Sequence, residues 1–475
     1  MTLSYVNGEW LNSKETIEVL NPATKEVIDT VYTVGEKETL YAIESADKAF
    51  KRWKKSTSEE RSYFLKRVAY FLREDQENLA KLVTKENGKP LRDARSEIES
   101  GIKYIEWYAE ETKRIYGDVL PPSHSNKHLM VTKKPIGVCA AITPWNFPFS
   151  MITRKIAPAL AAGCTVILKP ASATPLSAVK VFECFEKANL PKGVVNLVIG
   201  SAKKIGDKMT ESTKVRKISF TGSTPVGKSL FEKSANTMKA VSMELGGHAP
   251  FIIFDDADVN LAVDGLIKAK FSNSGQTCIS TNRIYVQENI AKEFTEKFTK
   301  KVMELEVGNG LRDEVDVGPI IDESSYKKIV SQIDDAVEKN AEVLCGGKEE
   351  KKKSKGYFIH PTVIKKADEN MLIANEETFG PVVPIFTFKT DEEVMQKANH
   401  PYYGLMGYCY TKDLKKAFRI SEELEYGMLG INDPSPVVMQ APFGGLKESG
   451  LGKEGGKYGL EEYLVTKYVS FNTDY

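Results

Sequence analysis

Ala162-Gly-Cys-Thr-Val-Ile-Leu-Lys-Pro170 is a short apolar run closed by a lysine and a proline. It is too short for a helix and rich in apolar and β-branched residues, so it reads as a buried strand. Similar runs lie at Val138–Ile142, Val194–Ile199 and Lys217–Phe220, with helical patterns near 150–162, 175–188, 202–211 and 225–235. Strands that alternate with helices predict a parallel, doubly wound sheet. A second alternating set begins at Pro250–Phe254 and continues through Arg283–Val286, Val382–Phe388, Met406–Tyr410 and Met428–Ile431. The expected class is therefore α/β, with two doubly wound domains.

Upstream, amphipathic helices are expected over about 36–54, 58–86 and 89–115, so the first quarter reads as mostly helical. Tyr116–Lys134, with Pro121-Pro122 and alternating Leu129 and Val131, reads as a strand pair, and Glu462–Asn472 as another strand. Strands without a sheet of their own leave open edges, so they are expected to pair with another subunit.

The 475 residues exceed one ordinary core, and 41% hydrophobic content suffices to fill several. The charge of +1 and the absence of a basic patch interleaved with aromatics argue against nucleic acid. The mixed-sign run Lys348–Lys355 reads as a solvated loop. No secretory pattern opens the chain and no run is long enough to span a bilayer, so a cytoplasmic protein without a membrane partner is expected. Six cysteines (139, 164, 184, 278, 345, 409) form no Cys-x-x-Cys pair, and five histidines show no ligand spacing. Neither disulfides nor a metal site is expected.

The Gly-x-Gly-x-x-Gly dinucleotide fingerprint is absent from the sheet region, and Gly308-Asn-Gly310 has the wrong continuation. Instead, Ile218-Ser-Phe-Thr-Gly-Ser-Thr-Pro-Val-Gly227 turns from strand to helix at Gly222, with Pro225 in the first turn. Its free N–H groups and Ser223 suit a pyrophosphate, though a plain serine-capped turn would read the same. Lys169 stands at a strand's C-terminal end, where open α/β sheets bind ligands, though a solvated lysine also fits there. In Ile142-Thr-Pro-Trp-Asn-Phe-Pro148, Asn146 is a candidate donor to an oxyanion or a turn asparagine.

Five cysteines lie among apolar or strand residues and read as small buried hydrophobes. Cys278 differs, because Phe271-Ser-Asn-Ser-Gly-Gln-Thr-Cys278 is polar and reads as flexible, which suits an accessible thiol. Met243-Glu-Leu-Gly-Gly247 carries Glu244 into tight packing, where its pKa is expected to rise. A thiol and such a carboxylate are the minimum for forming and hydrolysing a thioester.

Together these motifs resemble the aldehyde dehydrogenase superfamily over essentially the whole chain, from Asn21-Pro-Ala-Thr to Pro442-Phe-Gly-Gly-Leu-Lys-Glu-Ser-Gly450. Met151-Ile-Thr-Arg-Lys155, Glu376-Glu-Thr-Phe-Gly-Pro381 and Gly455-Gly-Lys-Tyr-Gly459 are most similar to succinate-semialdehyde dehydrogenases and their near relatives. The resemblance implies NAD(P)-dependent oxidation of an aldehyde to an acid, with Cys278 as nucleophile, Glu244 as base, and Asn146 with the Cys278 amide as oxyanion hole. It implies that NAD or NADP is held by Ile142, Thr143, Trp145, Lys169, Ser172, Gly222, Ser223, Leu245, Glu377 and Phe379. Substrate would meet Arg154, Ser272 and Phe443. A dinucleotide-binding domain (1–115 and 135–245), a catalytic domain (246–440) and an oligomerisation arm (116–134 and 455–475) of a homodimer or homotetramer are also implied.

Two positions depart from the pattern. Ser172 stands where a glutamate often holds the ribose hydroxyl, and a serine does not repel a 2′-phosphate. Ser272 stands where semialdehyde enzymes carry a carboxylate-binding arginine, and Val437 where they carry a serine, while Arg154 remains. The alternatives are a broad-specificity aliphatic or aromatic aldehyde dehydrogenase, a CoA-acylating relative, and an inactive binding or structural protein of the same fold.

Overall fold

Thr165–Lys169 is the fourth strand of an eight-stranded sheet in a computed structural model that describes residues 3–348 and 355–474. The lysine run over 349–354 lies outside the described residues. The central strands Val195–Leu197, Thr165–Lys169, Val138–Ile142, Val215–Thr221 and Ala240–Glu244 run parallel. Every residue of Val138–Ile142 and Thr165–Lys169 is buried, as expected of strands covered on both faces. Within the parallel part the chain enters at Val138–Ile142, winds outward through two strands, then crosses back to Val215–Thr221 on the other side. Strand order therefore reverses between Val138–Ile142 and Val215–Thr221, and the loops leaving their C-terminal ends diverge into a crevice.

The second sheet has seven strands in the order Glu342–Lys348, Ile359–Lys365, Val382–Phe388, Thr281–Gln287, Ala249–Ile253, Met406–Tyr410, Met428–Ile431. All pair in parallel except the first, which is antiparallel to its neighbour. Four residues separate Glu244, the end of one sheet's strand, from Ala249, the start of the other's. Glu244 thus ends its strand beside the junction of the two sheets.

Several expectations change. The chain begins in strands: Ser4–Val6 and Glu9–Leu11 extend the first sheet, and Glu15–Leu20 pairs with Val27–Thr33 as a hairpin. The helix expected over 58–86 is two, Ser58–Glu74 and Gln76–Asn87, broken at Asp75 (φ −109°, ψ 13°), whose carboxylate accepts from Asn78 Nδ2 at 2.6 Å. Cys345 is half-buried, whereas Cys139, Cys164, Cys184 and Cys409 are buried.

The peripheral strands find each other. Leu464–Asn472 pairs antiparallel with Lys127–Pro135 along its whole length, and Asp118–Leu120 pairs on the other side. The tail thus fills one edge of the strand pair within its own chain. A pairing across more than 300 residues leaves no local trace in sequence.

Candidate active site

The crevice at the strand reversal opens into a cavity of about 240 Å³ lined by Trp145, Asn146, Gly222, Ser223, Leu245, Gly246, Glu377 and Phe379, among others. Thr221-Gly222-Ser223 leads into the helix Thr224–Ala235, with Pro225 in its first turn and no side-chain cap from Ser223. Its first N–H groups are thereby left open to an anion. A Cβ on Gly222 would lie 2.5 Å from the tip of the Phe220 ring, so a larger residue at this turn must push that ring aside. Glu377 Oε1 accepts from the Gly247 N–H at 3.0 Å, and burial pushes its carboxyl up to about 7. Phe379 holds a left-handed backbone (φ 58°) that sets its ring edge-to-face on Trp145, 5.6 Å away.

A larger cavity of about 600 Å³ lies on the other side, with Arg154, Ser272 and Phe443 on its walls together with Met151, Phe271 and Tyr408. Among the described residues Cys278 is common to both linings.

The approach to Cys278 is rigid, not flexible. The helix Val259–Phe271 ends at Ser272, and Asn273 and Ser274 follow in left-handed conformation (φ 49° and 58°). Gly275 also has positive φ (73°), and a Cβ there would strike the Gly380 carbonyl at 2.4 Å. Hydrogen bonds hold these strained residues: the Asn273 N–H donates to Asp93 Oδ2 (2.7 Å), Ser274 Oγ to the Gly318 carbonyl (3.1 Å), and Gln276 Nε2 to the Pro319 carbonyl (3.2 Å). Asn273, Ser274 and Gln276 are fully buried. A run that is polar because each side chain bonds backbone looks in sequence like a loose loop.

Asn146 is fixed just as firmly. Its Nδ2 donates to the Gln276 carbonyl (3.0 Å), and its own carbonyl accepts from Lys89 Nζ (2.8 Å) and Asn273 Nδ2 (2.9 Å). Lys89 Nζ lies 2.6 Å from Glu97 Oε2, with both side chains wholly buried, and Glu97 Oε1 caps the Phe149 and Ser150 N–H groups (2.9 and 3.0 Å). One buried pair thus positions the Asn146 loop and the start of the helix Ser150–Ala162. Sequence reading missed both residues. The available signal was a glutamate on the Ala94/Ile98 face of an amphipathic helix.

Glu244 is buried and neither carboxylate oxygen has a hydrogen-bond partner among the described residues. Burial, then Glu454, raises its pKa well above the usual range, against the pull of Lys155 and Arg154. Lys155 Nζ lies 2.6 Å from Glu454 Oε1 and donates to Ser219 Oγ at 3.2 Å; neither Lys155 nor Glu454 was singled out in sequence. Burial, followed by Glu377 and Glu244, pushes the Cys278 thiol up to about 12, with Arg154 opposing. Arg154 Nε lies 3.5 Å from Glu454 Oε2, its guanidinium sits 4.1 Å over the Phe443 ring, and its buried Nη2 has no partner among the described residues.

Most expected site residues converge. Trp145, Asn146, Gly222, Ser223, Leu245, Glu377, Phe379 and Cys278 share the smaller cavity; Arg154, Ser272, Phe443 and Cys278 share the larger. Glu244 lines neither and stands in the buried charge cluster behind them. Ile142, Thr143, Lys169 and Ser172 lie further along the crevice, off the smaller cavity's lining. Thr143 N–H donates to the Lys169 carbonyl (3.1 Å), Lys169 Nζ donates to the Pro170 carbonyl (2.9 Å) with its pKa lowered by burial to about 8, and Ser172 is exposed. Among the described residues no cluster of His, Cys, Asp or Glu is placed to hold a metal ion, and no helix is long and apolar enough to cross a membrane.

Residues 10–469 match the Aldehyde dehydrogenase family. The chain is 50% identical to a glutarate-semialdehyde dehydrogenase of Pseudomonas putida, over 98% of this chain and 97% of that one. It is 49% identical to the NADP-dependent succinate-semialdehyde dehydrogenase of Escherichia coli, over 98% and 96%. The crystal structure of succinate-semialdehyde dehydrogenase from Burkholderia pseudomallei superposes with a TM-score of 0.98 at 46% identity, covering 99% of this chain and 98% of that one.

Proposed function

The chain belongs to the aldehyde dehydrogenase family, and from its site we infer how it carries out the NAD(P)-dependent oxidation of an aldehyde to a carboxylic acid. The observation that carries the reading is the place of Cys278 on the wall shared by two cavities. A nucleophile there holds an aldehyde from one side while its hydride departs to the other.

The smaller cavity fits a nicotinamide dinucleotide. Thr221 and Thr378, both on its lining, carry buried hydroxyls without partners among the described residues, and the open helix start at Ser223 suits a diphosphate. Gly222 and Ser223 would hold the diphosphate, Lys169 and Ser172 the adenine ribose, and Glu377, Phe379 and Trp145 the nicotinamide ribose and ring, with Ile142, Thr143 and Leu245 shaping the crevice. When bound, the dinucleotide accepts the hydride from the substrate carbon. Ser172 puts no carboxylate against a 2′-phosphate, so NADP is accommodated as well as NAD.

Cys278 acts as nucleophile once its thiol has lost its proton, and its sulfur bonds to the aldehyde carbon. The oxyanion so formed accepts from Asn146 Nδ2 and the Cys278 N–H. After the hydride leaves, the acyl group stays on Cys278 as a thioester. Glu244, made more basic than an ordinary carboxylate by burial and by Glu454, turns from its cluster and takes a proton from the attacking water. The acid departs and the thiolate is restored.

We propose a semialdehyde with an acidic tail as the substrate, as the names of the relatives suggest and as the free Nη2 of Arg154 supports. Ser272 and the apolar wall of Met151, Phe271 and Phe443 favour a second reading, broad action on uncharged aldehydes. Free cysteines fit a cytoplasmic protein, and the exposed Val119, Tyr468 and Phe471 on the three-stranded sheet fit a homodimer or homotetramer.

Mixing enzyme, dinucleotide and aldehyde is expected to release one equivalent of reduced dinucleotide in a burst, leave an acyl mass adduct on Cys278, and yield free acid. A Cys278→Ala variant with undiminished oxidation, or acyl-CoA as the sole product, would sink the reading.

A further inference from the structure

The larger cavity carries three cations, each from a different helix. Arg92 Nη1 is paired with Asp316 Oδ1 at 2.6 Å, and Arg154 faces Glu454 at 3.5 Å. Lys268, exposed on the helix Val259–Phe271, makes no ion pair or hydrogen bond among the described residues, although it lines the same cavity. The acid one turn before it, Asp264, is engaged by Lys301. Lys268 is therefore the cation on this wall without a committed partner.

Its position bears on Ser272. Residues four apart on a helix share a face, so Lys268 reaches the cavity from the side of Ser272, about one turn or roughly 5.4 Å further out. Ser272 itself caps the helix end, is exposed, and offers no positive charge. Lys268, Ser272 and Cys278 all line this cavity, and a serine fills less of it than an arginine would.

Resting on the dehydrogenase reading above, we propose that Lys268 is the specificity-determining residue for the substrate's anionic tail. It binds a terminal carboxylate further from Cys278 than residue 272 would, and so selects semialdehydes longer than succinate semialdehyde. Because Lys268 is exposed, water screens its pairing with the carboxylate in part.

The test compares succinate, glutarate and adipate semialdehydes with uncharged pentanal, in the native enzyme and in Lys268→Ala and Lys268→Arg variants. Native enzyme should prefer the two longer semialdehydes to succinate semialdehyde. Lys268→Ala should raise KM for glutarate semialdehyde about tenfold, the loss of one charge-assisted hydrogen bond, with kcat and pentanal turnover held within about twofold. Lys268→Arg should keep the low KM. Raising salt from about 0.02 to about 0.5 M should raise the native KM for glutarate semialdehyde but not that of Lys268→Ala. Equal effects on pentanal and glutarate semialdehyde, no effect on either, or a native preference for succinate semialdehyde would overturn the proposal while leaving the dehydrogenase reading intact. Absence of turnover with every aldehyde would remove that reading instead.

Discussion

The two cavities that meet at Cys278 are built differently. The smaller, about 240 Å³, is walled mostly by the short stretches 144–146, 221–223, 245–246 and 377–379 in strand-end turns and loops, joined by Cys278 and by Ser325 and Lys328 of the helix Glu323–Glu338. The larger, about 600 Å³, is walled by side chains from three helices and several loops between Arg92 and Phe443. Where turns and main-chain groups make the site, the residues that shape it are neighbours in sequence. Where packed helices make it, the residues that face it are spaced by a helical turn, as Met151 and Arg154 or Lys268 and Ser272 are.

The largest effect should come from behind both cavities. Glu244→Gln keeps the shape and removes the base, so steady-state turnover should fall on the order of 10³-fold while the first burst of reduced dinucleotide survives. A lost burst would place Glu244 before hydride transfer.

Lys89→Met leaves Glu97 buried without its partner, at a cost of about 3–5 kcal/mol. Thermal unfolding should shift down markedly, and the companion Glu97→Gln should do comparable harm because it strands the buried Lys89 ammonium, which keeps only the Asn146 carbonyl as partner. No shift in either variant would show that the pair does not hold the junction.

Asn146→Ala removes one oxyanion donor, and kcat/KM should fall by about 10²-fold with dinucleotide affinity unchanged. A matching loss of dinucleotide affinity would erase the functional distinction between the two sides.

pH should act on the shared residue. With the thiol pushed up to about 12, the neutral form dominates near pH 7, and the thiolate fraction grows as pH rises. The rate of the first hydride transfer should therefore climb by up to about tenfold per unit between about pH 6 and 8. A flat profile in stopped-flow absorbance would mean that Cys278 is already ionised.

The smallest effect belongs to the far end of the crevice. Ser172→Glu places a carboxylate near a 2′-phosphate, and unit charges about 4 Å apart in water repel by about 1 kcal/mol. KM for NADP should rise several-fold while KM for NAD stays level.

The sequence alone carried the α/β class, because alternation of apolar strands and amphipathic helices is a local signal. It also singled out Cys278, Glu244 and Asn146 as candidates, by residue type and by resemblance to a known family. Its misreadings share a cause. The 272–277 run reads as a loose loop because sequence does not reveal that Asn273, Ser274 and Gln276 spend their hydrogen bonds on Asn146, Gly318 and Pro319. The tail reads as a strand without a sheet because its partner Lys127–Pro135 lies hundreds of residues upstream.

Tertiary structure alone decided that Lys89 and Glu97 form a buried pair, that Lys155 and Glu454 surround Glu244 with charge, and that Lys268 stands uncommitted over the larger cavity. Propensity, turn chemistry and motif spacing act over a few residues, and so fold class and nucleophile are written locally. Burial and electrostatic environment depend on which distant segments pack together, and the chain states those only once folded.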